Sequence, residues 1–172
     1  MIKKIRELAR KFDSKDIGID LGTANVLVYV EDKGIVLNEP SVVAIDTEAD
    51  RIIMVGQKAQ AMMGRTPEHI KTIRPLKNGV VAQYDVTLRM LQYFIRRACG
   101  DMFFRPRVMI CIPGGVSDVE KRAVIDAALE AGARAAKLID EPVAAAIGAG
   151  LSVNAPEGHL ILDIGGGVTD IA

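Results

Sequence analysis

The chain has 172 residues, 49% of them hydrophobic and 26% charged, enough to bury one core and too apolar for a disordered protein. Its formal net charge is zero, which argues against a nucleic-acid-binding surface along the whole molecule. No apolar run nears the roughly 20 residues that a membrane helix needs, and Cys99 and Cys111 form no C-x-x-C pair, so both read as reduced cytosolic thiols.

The first twelve residues, MIKKIRELARKF, set Met1, Ile2, Ile5, Leu8, Ala9 and Phe12 on one helical stripe, with Lys3, Lys4, Arg6, Arg10 and Lys11 on the other faces. With Glu7 this segment nets +4 and leaves −4 for the rest. A basic amphipathic helix reads as a membrane-surface anchor, for which lipid supplies both apolar partner and anionic charge. The other reading is a terminal helix docked on the protein's own core. The polar break Asp13-Ser14-Lys15-Asp16 favours the anchor, over residues 1–16. The segment lacks the unbroken apolar core of a secretion signal, so the protein is expected in the cytoplasm.

Ile17–Asp20 and Asn25–Val30 then read as a hairpin across Leu21-Gly22-Thr23-Ala24. Short strands follow at Gly34–Leu37, Ser41–Ile45 and Arg51–Val55, with turns at Asn38-Glu39-Pro40 and Glu48-Ala49-Asp50, and a helix over Lys58–Met63. Gly64, Pro67, Pro75 and Asn78-Gly79 mark a loop-rich return. Asp85 is placed to cap a helix to Ala98, with Leu88, Leu91, Ile95 and Ala98 on one face. Arg107–Ile112 is a buried strand ended by Pro113-Gly114-Gly115. Ser117 and Glu120 form an S-x-x-E capping box for a helix to Ala131 that Gly132 ends. Lys137–Ile139 makes a strand, Pro142–Gly150 a helix and Leu160–Asp163 the last strand. Strands alternating with capped helices predict an α/β layered fold with a small β-rich insertion.

The end of the chain echoes its beginning. Ile17 to Asn25 and Leu160 to Val168 each run strand, Asp, apolar residue, Gly, small residues. Glycines let turn N–H groups approach an anion, and a nest of such groups suits phosphate. Asp20 and Asp163 would repel phosphate directly, but they make sense with a hydrated Mg²⁺ between, since that ion takes carboxylates together with substrate phosphates. The chain has neither a GxxxxGK[ST] loop nor a GxGxxG turn opening a helix, so a bound nucleotide must be gripped by hairpins.

IDLGTANVLVYV and LILDIGGGVTDIA resemble the phosphate hairpins of the superfamily of actin, sugar kinases and heat-shock chaperone ATPases. Within it, GIVLNEPSVVAI, GRTPEHI, RPLKNGVVAQYDVT and DEPVAAAIGAGL resemble the bacterial actins of the MreB/Mbl family, from about Asp16 to Ala172. The resemblance implies an actin-like, ribonuclease H-like α/β fold. It divides the chain into residues 17–33 with 66–150 as a first domain, 34–65 as an inserted subdomain and 151–172 as the start of a second domain. It also implies an ATP-dependent filament protein, self-associating, lying peripherally on the inner face of the cell membrane and organising cell-wall synthesis there. Gly22, Thr23, Ala24 and Asn25 and the turn Gly165, Gly166, Gly167 and Val168 would clasp the phosphates. Asp20 and Asp163 would sit near Mg²⁺, and Glu141 matches the glutamate associated with the attacking water. Without the resemblance, Glu141 reads equally as a helix-start charge.

Three departures and two alternatives accompany it. Val168 stands where the family's second hairpin carries a threonine that helps position water, so hydrolysis is expected to weaken while binding survives. Thr169 beside it points elsewhere by strand alternation. Val26 replaces a Thr of many members. Members are longer, with a second half that supplies the adenine pocket and further strands, and without it the last strand would expose an apolar edge. The alternatives are a chaperone-type ATPase, which shares the Glu-Pro-x-Ala-Ala-Ala pattern, and a sugar kinase, for which no sugar pocket is legible.

Overall fold

The computed structural model describes residues 16–77, 80–100, 105–154 and 156–172. The anchor reading, with Ile2, Lys3, Lys4, Ile5, Leu8 and Phe12, lies outside the described residues, as does the Asn78-Gly79 turn. A five-stranded sheet runs in the order β10-β9-β1-β2-β3, formed by β1 (Asp16–Leu21), β2 (Asn25–Val30), β3 (Gly34–Pro40), β9 (Arg107–Ile112) and β10 (Ala135–Asp140). β10, β9 and β1 are parallel, whereas β1, β2 and β3 form an antiparallel meander.

Period-two alternation decides which face of this sheet is covered. Ile17, Ile19 and Leu21 of β1, Val26, Val28 and Val30 of β2, and Val108, Ile110 and Ile112 of β9 are all buried in one core. Met90, Leu91, Phe94, Ile95 and Ala98 of a helix at Tyr84–Cys99, and Val124, Ala127 and Ala128 of one at Asp118–Glu130, join the same core. In chain order the helices are α1 (Gln57–Ala61), α2 (Tyr84–Cys99), α3 (Asp118–Glu130) and α4 (Glu141–Gly148). α3 begins with the expected capping box. Ser117 Oγ accepts from Glu120 N, and Ser117 N donates to Glu120 Oε2 at 2.9 Å. Gly132, at φ +112°, follows its last turn.

Several elements differ from the sequence reading. β3 continues through the expected turn at Asn38-Glu39-Pro40, because Glu39 turns inward instead of out to solvent. Its carboxylate accepts from Arg97 Nη1 at 2.6 Å and from Gln57 N at 2.8 Å, which satisfies a charge buried between α1 and α2. Antiparallel pairing with β2 places β3 in the main sheet, where the sequence reading expected it in a small β-rich insertion. A second sheet, in the order β5-β4-β6, comprises β4 (Val43–Asp46), β5 (Arg51–Val55) and β6 (Ile70–Ile73), so it draws its third strand from the stretch expected as loop. Two further short strands, β7 (Leu76–Lys77) and β8 (Val80–Val81), pair with each other. Asp85 does not cap α2: Gln83 precedes the helix without a side-chain cap, and Asp85 sits in its first turn, where a negative charge still meets the favourable end of the dipole. The last strand is one residue or two later than expected, β11 (Leu162–Ile164), and it is followed by β12 (Thr169–Ile171) in an antiparallel hairpin.

Candidate functional site

The two echoing stretches fold as two hairpins that face each other. The first joins β1 to β2 through Gly22-Thr23-Ala24, and the second joins β11 to β12 through Gly165 to Val168. Their turns are in contact. A Cβ added to Gly166 would lie 2.5 Å from the Ala24 Cβ, and one added to Gly167 would lie 2.9 Å from Thr23 Cγ2. Only glycine fits at such an approach. A cleft of about 300 Å³ lies under the turns, lined by Asp20, Gly22 to Asn25, Glu141, Asp163 and Gly165 to Val168, with Leu27, Pro113 and Ile164. Every residue that the sequence assigned to phosphate, metal or attacking water thus lines one cleft.

Parallel register between β1 and β9 sets Asp20 beside Cys111, and β10 leads directly into α4, whose first residue is Glu141. The cleft is acidic: among the described residues lining it there is no Lys or Arg. Burial, reinforced by Asp163, raises the Asp20 carboxyl above the usual carboxylate range. Burial also lifts Glu141 to about 7, helped by the charges of Asp20, Asp163 and Asp170. The Cys111 thiol is pushed up to about 12 by burial, then by Asp20, Glu141 and Asp163. Such mutual repulsion is what a bound cation would relieve. Among the described residues no three His, Cys, Asp or Glu side chains are grouped to hold a metal by themselves. Two carboxylates, completed by water and phosphate, match the ligand habit of Mg²⁺ better than a closed protein cage would.

Val168 lines the cleft and Thr169 does not, so the neighbouring threonine does not bring a hydroxyl to the place of the Val168 side chain. Val26 is fully buried on the core side of the sheet, away from the cleft. The sequence reading did not single out four residues around the site. Cys111 arrives through strand register. Asp170 accepts from Gly114 N at 3.0 Å and ties the second hairpin to the turn after β9. Ser41 and Arg74 reach the first turn from the connections to the second sheet. All four depend on pairings far apart in sequence, and no local motif marks them.

The model of the MreB/Mbl protein family matches residues 14–172. The chain belongs to that family. It is 51% identical over 160 residues to the cell shape-determining protein Mbl of Bacillus subtilis, covering 92% of this chain and 48% of the relative. To the cell shape-determining protein MreB of Escherichia coli K12 it is 50% identical over 178 residues, covering 100% of this chain and 50% of the relative. The crystal structure of MreB5 of Spiroplasma citri bound to ADP superposes with a TM-score of 0.84 at 39% identity, over 92% of this chain and 48% of that one. The double helical filament of MamK, at a TM-score of 0.78 and 24% identity, covers 92% and 49% and speaks for the fold alone. The fold is the actin-like α/β fold that the sequence led us to expect. The chain spans about half the length of the curated relatives it matches.

Proposed function

We propose that the cleft binds ATP with Mg²⁺ and that the chain is the phosphate-clasping portion of a filament-forming cell-shape protein. The observation that carries this reading is the contact between two glycine-bearing turns at a cleft that three carboxylates, Asp20, Glu141 and Asp163, also line. Spiroplasma MreB5 has been seen with ADP and with AMPPNP, which supports a nucleotide as the ligand of the equivalent cleft.

In this reading the amides of Thr23, Ala24 and Asn25 face one side of the phosphate chain and those of Gly166 and Gly167 the other, while the Gly165 amide closes its own turn on Val168 O. Asp20 and Asp163 hold Mg²⁺ through its waters, and the ion when bound offsets phosphate charge. Glu141, at the start of α4 with a carboxyl poised near neutrality, accepts the proton of the attacking water. Val168 offers that water no hydrogen bond, so turnover is slow and nucleotide serves chiefly to set conformation and assembly. Residues 1–12 place the filament on the inner face of the membrane, where it organises the wall-synthesis machinery, with the protein otherwise cytoplasmic.

The test is titration of the ¹⁵N-labelled chain with Mg-ATP. Amide shifts are expected at both turns, Thr23 to Asn25 and Gly165 to Gly167, and lost together in Asp20→Asn with Asp163→Asn. Saturating Mg-ATP that leaves both turns unmoved refutes the reading. Pelleting with ATP tests assembly, and vesicle co-sedimentation with and without residues 1–12 tests the anchor.

A further inference from the structure

The connection from the main sheet to the second sheet leaves after Pro40, and the return passes through Arg74. Both crossings reach the same turn. Ser41, fully buried, donates its hydroxyl to Gly22 O at 2.5 Å and its backbone N–H to Ala24 O at 2.9 Å. Arg74 Nη1 donates to Ala24 O at 3.1 Å and to Thr23 O at 3.4 Å. Three successive carbonyls, those of Gly22, Thr23 and Ala24, are therefore held from outside the hairpin.

A trans peptide unit is planar, and its N–H points opposite to its C=O. Fixing those three carbonyls fixes the amide directions of Thr23, Ala24 and Asn25, the residues of this turn that line the cleft. A nest binds an anion only when its N–H groups converge, and a turn opened by glycine can otherwise rotate its peptides at low cost. Arg74 also adds a charge that is never lost, polarising the carbonyls it holds. That matters beside a cleft whose described lining carries carboxylates and no cation.

We infer that Ser41 and Arg74 are positioning residues for the phosphate turn: by holding the carbonyls of Gly22, Thr23 and Ala24 from behind, they aim the amides of Thr23, Ala24 and Asn25 at a nucleotide phosphate. They act through the turn and do not touch the ligand. The inference rests on the nucleotide-binding reading above, which supplies the anion.

Wild type, Arg74→Gln, Ser41→Ala and Arg74→Lys, each ¹⁵N-labelled, are titrated with Mg-ATP and separately with Mg-tripolyphosphate. Backbone order parameters are measured without ligand. Arg74→Gln and Ser41→Ala are expected to bind both ligands about fivefold more weakly, the size of a lost charged or neutral hydrogen bond partly screened by solvent. Order parameters should fall at residues 23–25 and stay unchanged at residues 165–168, and Arg74→Lys should recover part of the affinity through its point charge. A wild type that binds, with both removals binding equally well, overturns this inference and leaves the nucleotide reading standing. A wild type that binds neither ligand overturns the nucleotide reading and this inference with it. Arg74 is exposed, so Arg74→Gln keeps its fold and decides the matter even where Ser41→Ala does not.

Discussion

Ala24 and Gly166 meet across the cleft so closely that a methyl on Gly166 would stand 2.5 Å from the Ala24 Cβ. Two residues far apart in the chain thereby fix the separation of the two hairpins. Gly166→Ala should force the turns apart, at a cost of about 1 kcal/mol, the low end for overpacking because a hairpin can shift. Ala24→Gly in the same chain should restore most of the loss. Urea melts of the two single variants and the double variant measure the coupling. Strictly additive effects would show that the turns do not touch in solution.

The Glu141 carboxyl, raised from 4.5 to about 7, ties stability to pH. The folded chain holds this proton more tightly than the unfolded chain does. Its contribution is therefore fully present below pH 4.5, declines as pH rises, and is gone above about 7. Glu141→Gln carries no such proton, so the wild type should lose stability relative to the variant between pH 5 and 7.5. Urea midpoints across that range read the difference, and a gap that stays constant with pH contradicts the assignment. Glu141→Gln should also stop ATP turnover without weakening nucleotide binding.

Cys111 should be a slow thiol. Pushed up to about 12, it holds far less thiolate at pH 8 than an ordinary cysteine, so alkylation by iodoacetamide should be slower by two to three orders of magnitude, to within about one. Asp20→Asn removes the nearest charge that disfavours the thiolate and should speed labelling at Cys111. Peptide mapping after timed alkylation distinguishes this site from Cys99. Labelling of Cys111 at the rate of a free thiol would mean that the strand position beside Asp20 is open to solvent.

Val168→Thr adds a hydroxyl inside the cleft, where Thr169 supplies none. If water positioning limits hydrolysis, kcat for Mg-ATP should rise about tenfold, a modest share of what general-base assistance supplies. The nucleotide Kd should stay within a factor of about two, because Val168 contributes its backbone to the turn whichever side chain it carries. Phosphate-release assays on both forms separate the two quantities. An unchanged kcat would remove Val168 from the account of slow turnover.

Short-range regularities were legible from the sequence. Alternation in β1, β2 and β9, the Ser117–Glu120 capping box, the Gly132 stop and the two Asp-x-Gly turns all depend on residues within a few positions of one another. They fixed these elements within a residue or two. The internal echo was enough to propose a two-jawed phosphate clasp, and every residue assigned to it lines one cleft.

What only the tertiary structure decided depends on pairings across long stretches of chain. β3 joins the main sheet by antiparallel pairing with β2, and its Glu39 turns inward to Arg97 on α2, a partner 58 residues away that no local pattern announces. Cys111 lies beside Asp20 because β9 pairs in register with β1, and burial there turns ordinary ionisable groups into shifted ones. Ser41 and Arg74 read as unremarkable polar residues until the two crossings to the second sheet bring them behind one turn. The sequence by itself determined which turns carry glycines beside an aspartate, since a glycine's freedom and an aspartate's charge are local properties. The tertiary structure alone determined what holds those turns and how strongly their neighbours titrate, since hydrogen-bond partners and desolvation are set by what the rest of the chain packs around them.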